Sequence, residues 1–394
     1  MKKDSIIVCG TGIAGLACGL GLARAGMSVS LLGPHSAPPV LEADTYHPRV
    51  YAISATSRSL LDELGAWRLM DMRRITAVEA MEIYGDGQGA LDLQAWHDTQ
   101  DTLAWIVESG EIERALQQAV RVFGVPWFEE AFASLDSAAH GVRVTTSGGR
   151  VMQANLLVGA DGARSQVREA SGIHHDYTPY GDMGVVAHLD VEIPHQGKAL
   201  QWFTGDSVLA LLPMPDTADG PQVSMVWSLP EGRAREFLAQ ESGAQQTFLA
   251  AHILATTGAR LGRVRLRSTP AGFPLTLQRT NMVAPGVALV GDAAHRVHPL
   301  AGQGLNLGLG DVRALLDVLA AREPFRHPGD ARVLARYRRA RAEPVLAMSL
   351  VTDGLHRLFA TQCAPVVWAR NEGMRVVDRV PFLKRRLIRA AAGQ

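Results

Sequence analysis

The chain has 394 residues, 47% of them hydrophobic, which is the composition of an ordinary globular protein of roughly two or three domains. Lysine plus arginine and aspartate plus glutamate each number 39, so the formal net charge is zero and no overall positive field attracts nucleic acid. The three cysteines, Cys9, Cys18 and Cys363, fit neither a disulfide framework nor a zinc site, which favours a reducing cytoplasm as the location.

The N-terminal residues predict a strand, a glycine-rich turn, a helix and a second strand. Residues 5–9 have the apolar pattern of a short buried strand, and residues 13–25 have the pattern of a helix that Gly26 ends. The segment MSVSLL then predicts another strand. We therefore expect a βαβ unit with parallel strands.

The uncharged run over residues 5–23 has an alternative interpretation. Such a run, following two lysines, resembles a secretory signal or a membrane span. Gly10, Gly12 and Gly15 argue against both, because each interrupts the continuous helix that either segment would need.

Helix and strand continue to alternate in the next part of the chain. Residues 62–72 predict a helix, and the stretch beginning at Trp105 predicts a strand end that runs into an amphipathic helix. From Val142 the pattern changes to short strands around a turn at Gly148 and Gly149, as in a β-hairpin. The last of these strands ends in the sequence ADG.

Residues 180–267 predict a different architecture. The segments GVVAHLDVEI, ALQWFT, SVLALLPM and QVSMVWSL have the pattern of antiparallel strands, and a helical stretch at 233–257 interrupts them. We expect a second domain inserted into the first. Its large apolar residues are expected mainly in the sheet core, although they could also wall an apolar pocket. They are Trp202, Phe203, Leu209, Leu211, Leu212, Met225 and Trp227.

The C-terminal part returns to the first domain and then becomes helical. The sequence VALVGDAAH begins a buried strand, a glycine-rich loop and a long helix, and the prolines at 328, 344, 365 and 381 predict breaks in the helices that follow. The predicted fold class is α/β. It has a Rossmann-like domain of residues 1–75, 100–179 and 268–325, an inserted antiparallel-sheet domain of residues 76–99 and 180–267, and a helical C-terminal region of residues 326–394.

The turn after the first strand has the sequence Gly10-Thr11-Gly12-Ile13-Ala14-Gly15. In a dinucleotide site the first glycine of this pattern permits the turn, the second admits the pyrophosphate and the third allows close helix packing. The amides at the helix N-terminus then stabilise the phosphate charge. One expected partner is missing, because Gly33 stands where an acidic residue should bind the ribose. Glu42 or Asp44 could take its place.

Two further glycine-rich motifs occur. Residues 159–165 read GADGARS, and residues 291–306 read GDAAHRVHPLAGQGLN. With RVYAIS near Arg49 and VTDGLHRLF near the C-terminus, the chain resembles the flavoprotein aromatic hydroxylases of the para-hydroxybenzoate hydroxylase type, and most closely their ubiquinone-biosynthesis branch. The resemblance covers nearly the whole chain and implies that FAD, rather than NAD, binds at the Gly10 turn.

The resemblance implies a role for several residues near the flavin. Asp292, after Gly291, would hydrogen-bond the ribityl chain. The segment from Pro299 to Asn306 would pass beside the isoalloxazine, with the amides of the following helix, near Leu305, directed at the ring edge where negative charge develops. Gly302 and Gly304 would permit that backbone approach.

Three other residues have competing interpretations. Asp161 and Gly162 resemble the family's DG motif, which would lie between FAD and the nicotinamide donor. Arg164 would then be a phosphate contact or a structural residue of the turn. Arg49 resembles the family arginine near the flavin, although an early loop arginine is often only a solvated charge or an ion pair.

Other catalytic motifs are lacking in the sequence. His295 and His298 are three residues apart, but no carboxylate or cysteine set completes a metal site, so none is predicted. Neither a Gly-x-Ser-x-Gly elbow nor an HExxH motif occurs. His188 and Tyr180 could act as the base that activates a phenol, yet a strand histidine is more often structural, and no catalytic residue is assigned.

The resemblance implies an FAD-dependent monooxygenase. In this reaction NADPH or NADH reduces FAD, O₂ is captured as a flavin C4a-hydroperoxide, and an electron-rich phenol ring attacks the distal oxygen. The expected substrate is a polyprenylated phenol of ubiquinone biosynthesis. One alternative is a flavin hydroxylase of a small soluble aromatic acid, and another is a non-catalytic flavin-binding scaffold of a quinone-biosynthesis complex.

The C-terminal tail is basic. After Ala364 it has seven basic residues against Glu372 and Asp378, with apolar residues interspersed. Such a segment can lie on the anionic inner membrane as a peripheral contact, or dock on a partner of a quinone-biosynthesis complex. A solvated C-terminal helix is the alternative. The basic residues are Arg370, Arg375, Arg379, Lys384, Arg385, Arg386 and Arg389.

Overall fold

The computed structural model describes residues 5–36, 38–39, 41–42, 44–87, 89–138, 141–298, 302–361 and 363–392. Its helices, in chain order, are α1 Ile13–Arg24, α2 Ala55–Glu63, α3 Ser109–Val122, α4 Gln166–Ala170, α5 Glu231–Leu238, α6 Ser242–Thr257, α7 Gly304–Ala320, α8 Ala331–Ala360, α9 Ala364–Arg379 and α10 Pro381–Ala392. Short 3₁₀ turns lie at Trp67–Leu69, Met72–Arg74, Ala95–Asp98 and Gly291–Ala293.

The strands follow the same order along the chain. They are β1 Ser5–Cys9, β2 Ser28–Leu32, β3 Val50–Ile53, β4 Thr76–Val78, β5 Ala80–Tyr84, β6 Ala90–Gln94, β7 Ala104–Glu108, β8 Trp127–Phe128, β9 Phe132–Ala138, β10 Gly141–Thr146, β11 Val151–Ala154, β12 Leu156–Gly159, β13 His175–Val191, β14 Lys198–Phe203, β15 Val208–Thr217, β16 Gly220–Pro230, β17 Val264–Leu266, β18 Ala271–Thr280, β19 Val283–Ala284 and β20 Val287–Leu289.

A largely parallel sheet forms the centre of the first domain. Its strand order is β19-β20-β12-β1-β2-β8, and β1 pairs in parallel with both β2 and β12. The predicted βαβ unit is thereby confirmed. Its central strands are buried on both faces, which is why β1 and β12 are continuous apolar runs. Gly26, at φ 77°, follows the end of α1 as predicted.

Two small antiparallel sheets flank this centre. One has the order β11-β10-β9 and contains the hairpin predicted at Gly148 and Gly149. The other has the order β3-β7-β4, and Arg49 lies immediately before β3. Through β7 it leads directly into α3, so this part of the chain follows the predicted strand-to-helix pattern.

The inserted region forms a large antiparallel sheet. Its order is β17-β13-β16-β15-β14-β5-β6, and β18 pairs with the remaining part of β13. One face packs against α5 and α6 in a core that includes Trp227, Phe237 and Ile253. The sheet extends beyond the boundaries predicted at 180 and 267, because β13 is 17 residues long and recruits β18.

Two predictions about helices are wrong. The helix predicted over residues 62–72 is instead α2, which begins after Ser54, whose hydroxyl accepts from the Ser57 amide. It ends before Gly65, whose φ of 79° does not continue a helix. Pro344 was predicted to break a helix but lies inside α8. Among the other prolines, Pro365 and Pro381 do stand at the starts of α9 and α10.

The N-terminal apolar run is not a single helix. It divides into β1 and the buried helix α1 around the glycine turn. More generally, none of the helices within the described ranges combines the length and the apolar character that crossing a bilayer requires.

Candidate active site

The glycine turn between β1 and α1 leaves one side of the backbone open. A Cβ on Gly10 would lie 2.2 Å from the Ala160 carbonyl oxygen, and a Cβ on Gly15 would lie 2.0 Å from the Gly10 carbonyl oxygen. A Cβ on Gly12, by contrast, would meet nothing within 4 Å. The first and third glycines therefore permit close packing, and the second faces the space that a pyrophosphate needs.

The start of α1 is also free to bind an anion. Its N-cap is Gly12, which has no side chain to accept from the first amides, and the first turn contains no acidic residue. The N–H groups that a helix leaves unpaired at its N-terminus are thus available to a phosphate. The residues present fit the pyrophosphate of FAD.

A cavity of about 440 Å³ opens beside this turn and gathers most of the predicted cofactor contacts. Gly10 and Gly15 pack behind the turn instead, and Pro299 lies outside the described residues. The predicted residues that line the cavity are Gly12, Ile13, Ala14, Arg49, Gly291, Asp292, Gly302, Gly304, Leu305 and Asn306.

The missing ribose carboxylate at Gly33 has a local explanation. Gly33 has φ 147°, and a Cβ there would lie 3.1 Å from the Thr11 hydroxyl oxygen, which donates to the Pro34 carbonyl. The strand end is therefore filled by Thr11 and backbone. Neither Glu42 nor Asp44 lines the cavity, and the Asp44 carboxylate accepts from the Ala218 amide.

Sequence reasoning missed a buried ion network beneath the Gly291–Ala293 turn. Asp311, fully buried on α7, accepts from the Gly291 amide at 2.9 Å and from the Arg341 Nε at 2.7 Å. Its other contact is His295 Nε2 at 2.7 Å. Burial alone would raise the pKa of Asp311, but His295, Arg341 and the Gly291 amide together lower it. The network fixes the turn that carries Asp292 at the cavity edge.

Arg49 lies over the ring of Phe273, 5.4 Å from its centroid, and its Nη1 donates to the Tyr51 hydroxyl at 3.4 Å. Arg49 is exposed to solvent and also lines the cavity, so both interpretations stay open. Glu113 of α3 lines the same region and was not predicted. Burial raises the pKa of Glu113, and the charge of Arg49 opposes that shift.

Asn306 joins α7 to the strand that carries Arg49. Its amide nitrogen donates to the Ala52 carbonyl at 2.8 Å, and its oxygen accepts from the Ser54 amide at 3.0 Å. Gly302 has φ 65° and lies beside Ala52. The first turn of α7 has neither a side-chain cap nor an acidic residue, so its amides are open toward the cavity near Gly304.

The DG motif contributes through its glycine. Gly162 lines the cavity, whereas the Asp161 Oδ2 accepts from the Val167 amide at 3.1 Å at the start of α4. Arg164 is exposed, and among the described residues no ion-pair partner lies within reach of it. The buried arginine of this region is Arg168, which donates to the carbonyls of Ala163 and Ala293.

The structure separates the two histidines of the flavin loop. His295 contacts Asp311, while His298 stacks on His356 and lies edge-on to the Tyr180 ring. Burial, together with His356, lowers the pKa of His298 to about 3. His298, His356 and Asp182 bring their potential ligand atoms within 4.8 Å of one another. Tyr180 does not line the cavity.

His188, the other residue considered as a base, is engaged elsewhere. Its Nε2 lies 2.8 Å from the His47 carbonyl oxygen, and it does not line the cavity. The wall that the antiparallel sheet presents is instead mostly apolar, with Val186, Ala210 and Val226 among its residues. Most of the large residues predicted for the sheet core, such as Trp227, pack on the opposite face.

Comparisons with known proteins show the family of the chain. The family described as FAD binding domain matches residues 3–350. Ubiquinone hydroxylase UbiL of Rhodospirillum rubrum is 35% identical over 100% of this chain and 90% of its own length. The 3-demethoxyubiquinol 3-hydroxylase of Escherichia coli is 33% identical over 100% of this chain and 99% of its own length.

A solved structure shows that the fold is shared. The crystal structure of p-nitrophenol 4-monooxygenase PnpA from Pseudomonas putida matches with a TM-score of 0.78 at 17% identity, covering 98% of this chain and 96% of that chain. The α/β fold with its FAD-binding and antiparallel-sheet parts is confirmed. The chain is an FAD-dependent monooxygenase that belongs to the FAD-binding-domain family of aromatic hydroxylases, in the branch of the ubiquinone-biosynthesis hydroxylases.

Proposed function

We propose that the protein hydroxylates the aromatic ring of a polyprenylated phenol in ubiquinone biosynthesis, with NADPH or NADH as electron donor. The observation that carries this proposal is the lining of the cavity. The cavity is lined by Gly12 and Gly304 of the cofactor site and also by Ile388 of α10. Ile388 packs in one apolar cluster with Leu93 and Met81, which line the same cavity, so this part is apolar, as an isoprenoid tail requires.

The reaction balances with one molecule each of phenol, O₂ and reduced nicotinamide and one proton. One oxygen atom enters the ring as a hydroxyl group, and the other leaves as water, which takes two electrons and one proton from the nicotinamide hydride and a second proton from solvent. FAD supplies the electron transfer and the activation of O₂ when it is bound. The chain binds and orients the two partners and excludes water from the reacting atoms.

Particular residues perform these tasks. The open amides at the starts of α1 and α7 offer positive dipole ends to the pyrophosphate and to the flavin ring. Arg49 adds a positive charge at the cavity wall. The apolar wall around Val186 and Val226 keeps the ring in a dry environment.

Two competing functions differ in what the cavity must hold. A small aromatic acid needs a cation for its carboxylate, and the arginines of the cavity, Arg49 and Arg296, both lie at the cofactor end. The apolar stretch toward Ile388 would then have no ligand group. A non-catalytic scaffold would bind flavin without oxygen consumption.

Mass spectrometry of the products under ¹⁸O₂ tests the function. Purified protein with FAD and NADH or NADPH is given a prenylated phenol or 4-hydroxybenzoate. We expect one ¹⁸O atom in the prenylated product and none in the small acid. Labelling of the small acid alone would favour the first alternative. Bound FAD with no oxygen uptake on either substrate would favour the scaffold.

We further propose that the C-terminal helices contact the membrane surface from which such a substrate is drawn. The outer side of this region exposes Leu350, Trp368 and Phe382. Its charge is smaller than the sequence suggests, since Arg370 pairs with Asp86 and Arg389 pairs with Asp98, two carboxylates from outside the tail. Arg385 and Arg386 are exposed, and no ion pair involving either occurs in the described part of the chain.

Cosedimentation with anionic vesicles tests the membrane contact. Lys384 pairs with Asp378 at 2.7 Å and is left intact. Reversal of Arg385 and Arg386 to glutamate should reduce pelleting strongly at low salt, because each basic residue near an anionic surface contributes about 1 kcal/mol. Pelleting that is equal for variant and wild type, or absent for both, would support docking on a partner protein or simple solvation.

A further inference from the structure

The face of the antiparallel sheet that borders the cavity contains one continuous row of side chains. Registers between neighbouring strands align Val186 with Val226, Val226 with Ala210, and Ala210 with Gln201. The row continues to Ile83 on β5. Since adjacent strands are about 4.8 Å apart, Gln201 lies about 10 Å from Val226 across the small Ala210.

The small side chain of Ala210 leaves a recess in the middle of this row. A methyl group between the larger Val226 and Gln201 leaves a depression in the wall about as long as a benzene ring with one substituent. Ala199, next to Gln201 on the same side of β14, is small as well. The row therefore offers a recess that an aromatic ring can occupy, with the Gln201 amide at one side of it.

The amide of Gln201 has no hydrogen-bond partner within the described residues, and the residue lines the cavity. The residue is 4% exposed, and its side chain makes no hydrogen bond to any part of the chain that the structure describes. The other cavity-lining polar residues of this sheet are Ser224, likewise unpartnered, and Thr276, which accepts from Arg296 at 2.7 Å. The Gln201 amide has no protein partner and borders the cavity, so it is free to hydrogen-bond a bound ligand.

Another glutamine of the same sheet shows the structural arrangement for comparison. Gln222 on β16 is fully buried, does not line the cavity, and donates from Nε2 to the Asp190 carboxylate at 2.9 Å. Its Nε2 therefore has an internal partner, whereas its Oε1 is buried without one in the described part of the chain. Gln201 differs in that the space in front of it is the cavity itself.

We propose that the Gln201 amide hydrogen-bonds an oxygen substituent of the substrate ring and thereby determines which ring carbon is presented for hydroxylation. The amide can donate to a methoxy or carbonyl oxygen and can accept from a phenol hydroxyl. This inference rests on the proposed function only in requiring an oxygenated aromatic ring. Gln201 is then a substrate-contacting residue on a rigid strand, which suits a role in orientation.

Three variants separate this role from a structural one. Gln201→Leu keeps the size and removes the hydrogen bond, Gln201→Asn shortens the amide, and Gln222→Leu removes a buried amide that already has a partner. Each is compared with wild type for the midpoint of thermal unfolding without ligand, and for the rise in that midpoint caused by a short prenylphenol. Holoenzyme is then assayed for hydroxylated product per NADH oxidised and for the ratio of product isomers.

We expect Gln201→Leu to unfold at or above the wild-type temperature, because the Gln201 amide makes no hydrogen bond within the described part of the chain that the substitution could remove. Its prenylphenol affinity should fall about 2- to 12-fold, the range for one neutral hydrogen bond. Product per NADH should fall, with H₂O₂ formed in its place, and more than one hydroxylated isomer should appear. Gln201→Asn should recover part of the selectivity. Gln222→Leu should unfold at a lower temperature with unchanged selectivity.

The proposal is overturned if Gln201→Leu binds prenylphenol and couples as wild type does, or if it lowers the unfolding temperature as Gln222→Leu does. Failure of the proposed function has a different signature, since wild type would then hydroxylate some other phenol or none. The variants are in that case compared on the phenol that wild type hydroxylates. If no phenol either stabilises wild type or is hydroxylated by it, Gln201 has no ring to bind and the inference falls.

Discussion

The buried network around Asp311 gives the sharpest quantitative prediction. Asp311 is 0% exposed, and Arg341, 7% exposed, donates to it at 2.7 Å. Replacement of Arg341 by methionine keeps much of the side-chain length but leaves the carboxylate with His295 and the Gly291 amide alone. Removing one partner of a buried ion pair costs about 3–5 kcal/mol. Native proteins are stable by only about 5–15 kcal/mol, so the loss should be large.

Urea unfolding of Arg341→Met and wild type measures this cost. Arg338 is an exposed arginine on the same helix, and Arg338→Met should change the free energy of unfolding by less than about 0.5 kcal/mol. The double variant Arg341→Met with Asp311→Asn should recover part of the loss, because the uncompensated buried charge is gone. FAD affinity should fall along with stability, since Asp311 holds the Gly291 turn at the cavity.

A loss below about 1 kcal/mol in Arg341→Met would refute this reasoning, because the network would then contribute no more than a surface pair. The same conclusion would follow if Asp311→Asn lowered the free energy of unfolding as much in Arg341→Met as it does in wild type. In that case Asp311 and Arg341 would act separately.

Three further predictions concern the cavity and its surroundings. Ile388→Trp should raise KM for a long-tailed phenol more than tenfold relative to a short-chain one, because the larger side chain fills the apolar part of the cavity. Leu387→Trp, at an exposed neighbouring position, should leave both KM values unchanged. If steady-state assays give Ile388→Trp and wild type equal KM values for the long-tailed phenol, Ile388 does not contact the tail. Gly12→Val should fold, since a side chain there meets no protein atom, but should bind no FAD; normal flavin absorbance in the purified variant would place the pyrophosphate elsewhere. Because the folded pKa of His298 is about 3, below the ordinary value near 6.5, its contribution to stability is complete above pH 6.5 and is lost as pH falls toward 3. Urea unfolding at pH 7.5 and 5 should therefore show about 2 kcal/mol less acid destabilisation in His298→Gln than in wild type, and an equal loss in the two proteins would refute the assignment.

Local patterns were enough to predict the framework of the fold. The βαβ unit and the antiparallel insertion follow from apolar periodicity and glycine positions, which act over a few residues. The glycine motifs likewise placed Gly12, Asp292 and Gly304 on one cavity. Family resemblance supplied the identity of the cofactor, which spacing alone left as a dinucleotide.

The features that the sequence did not predict depend on contacts between residues that are distant in sequence. The pairing of Asp311 with Arg341 joins two helices whose relative position no local pattern determines. The same holds for Gln201, whose significance appears only when its row across four strands is known. Pro344 was interpreted by its usual local effect, but it lies in a helix of 30 residues that continues past it.

The alternation of side chains along β15 has a consequence for how such an enzyme can change. Ala210 and Leu212 line the cavity, whereas Leu209 and Leu211 pack in the core beneath α5 and α6. Adjacent positions of one strand therefore have different constraints. The residues at 210 and 212 must fit the substrate, and those at 209 and 211 must pack in the core. A library randomised only at 199, 201, 210 and 212 should yield enzymes of altered substrate preference with little loss of yield, whereas the same diversity at 209 and 211 should mostly yield protein that fails to fold.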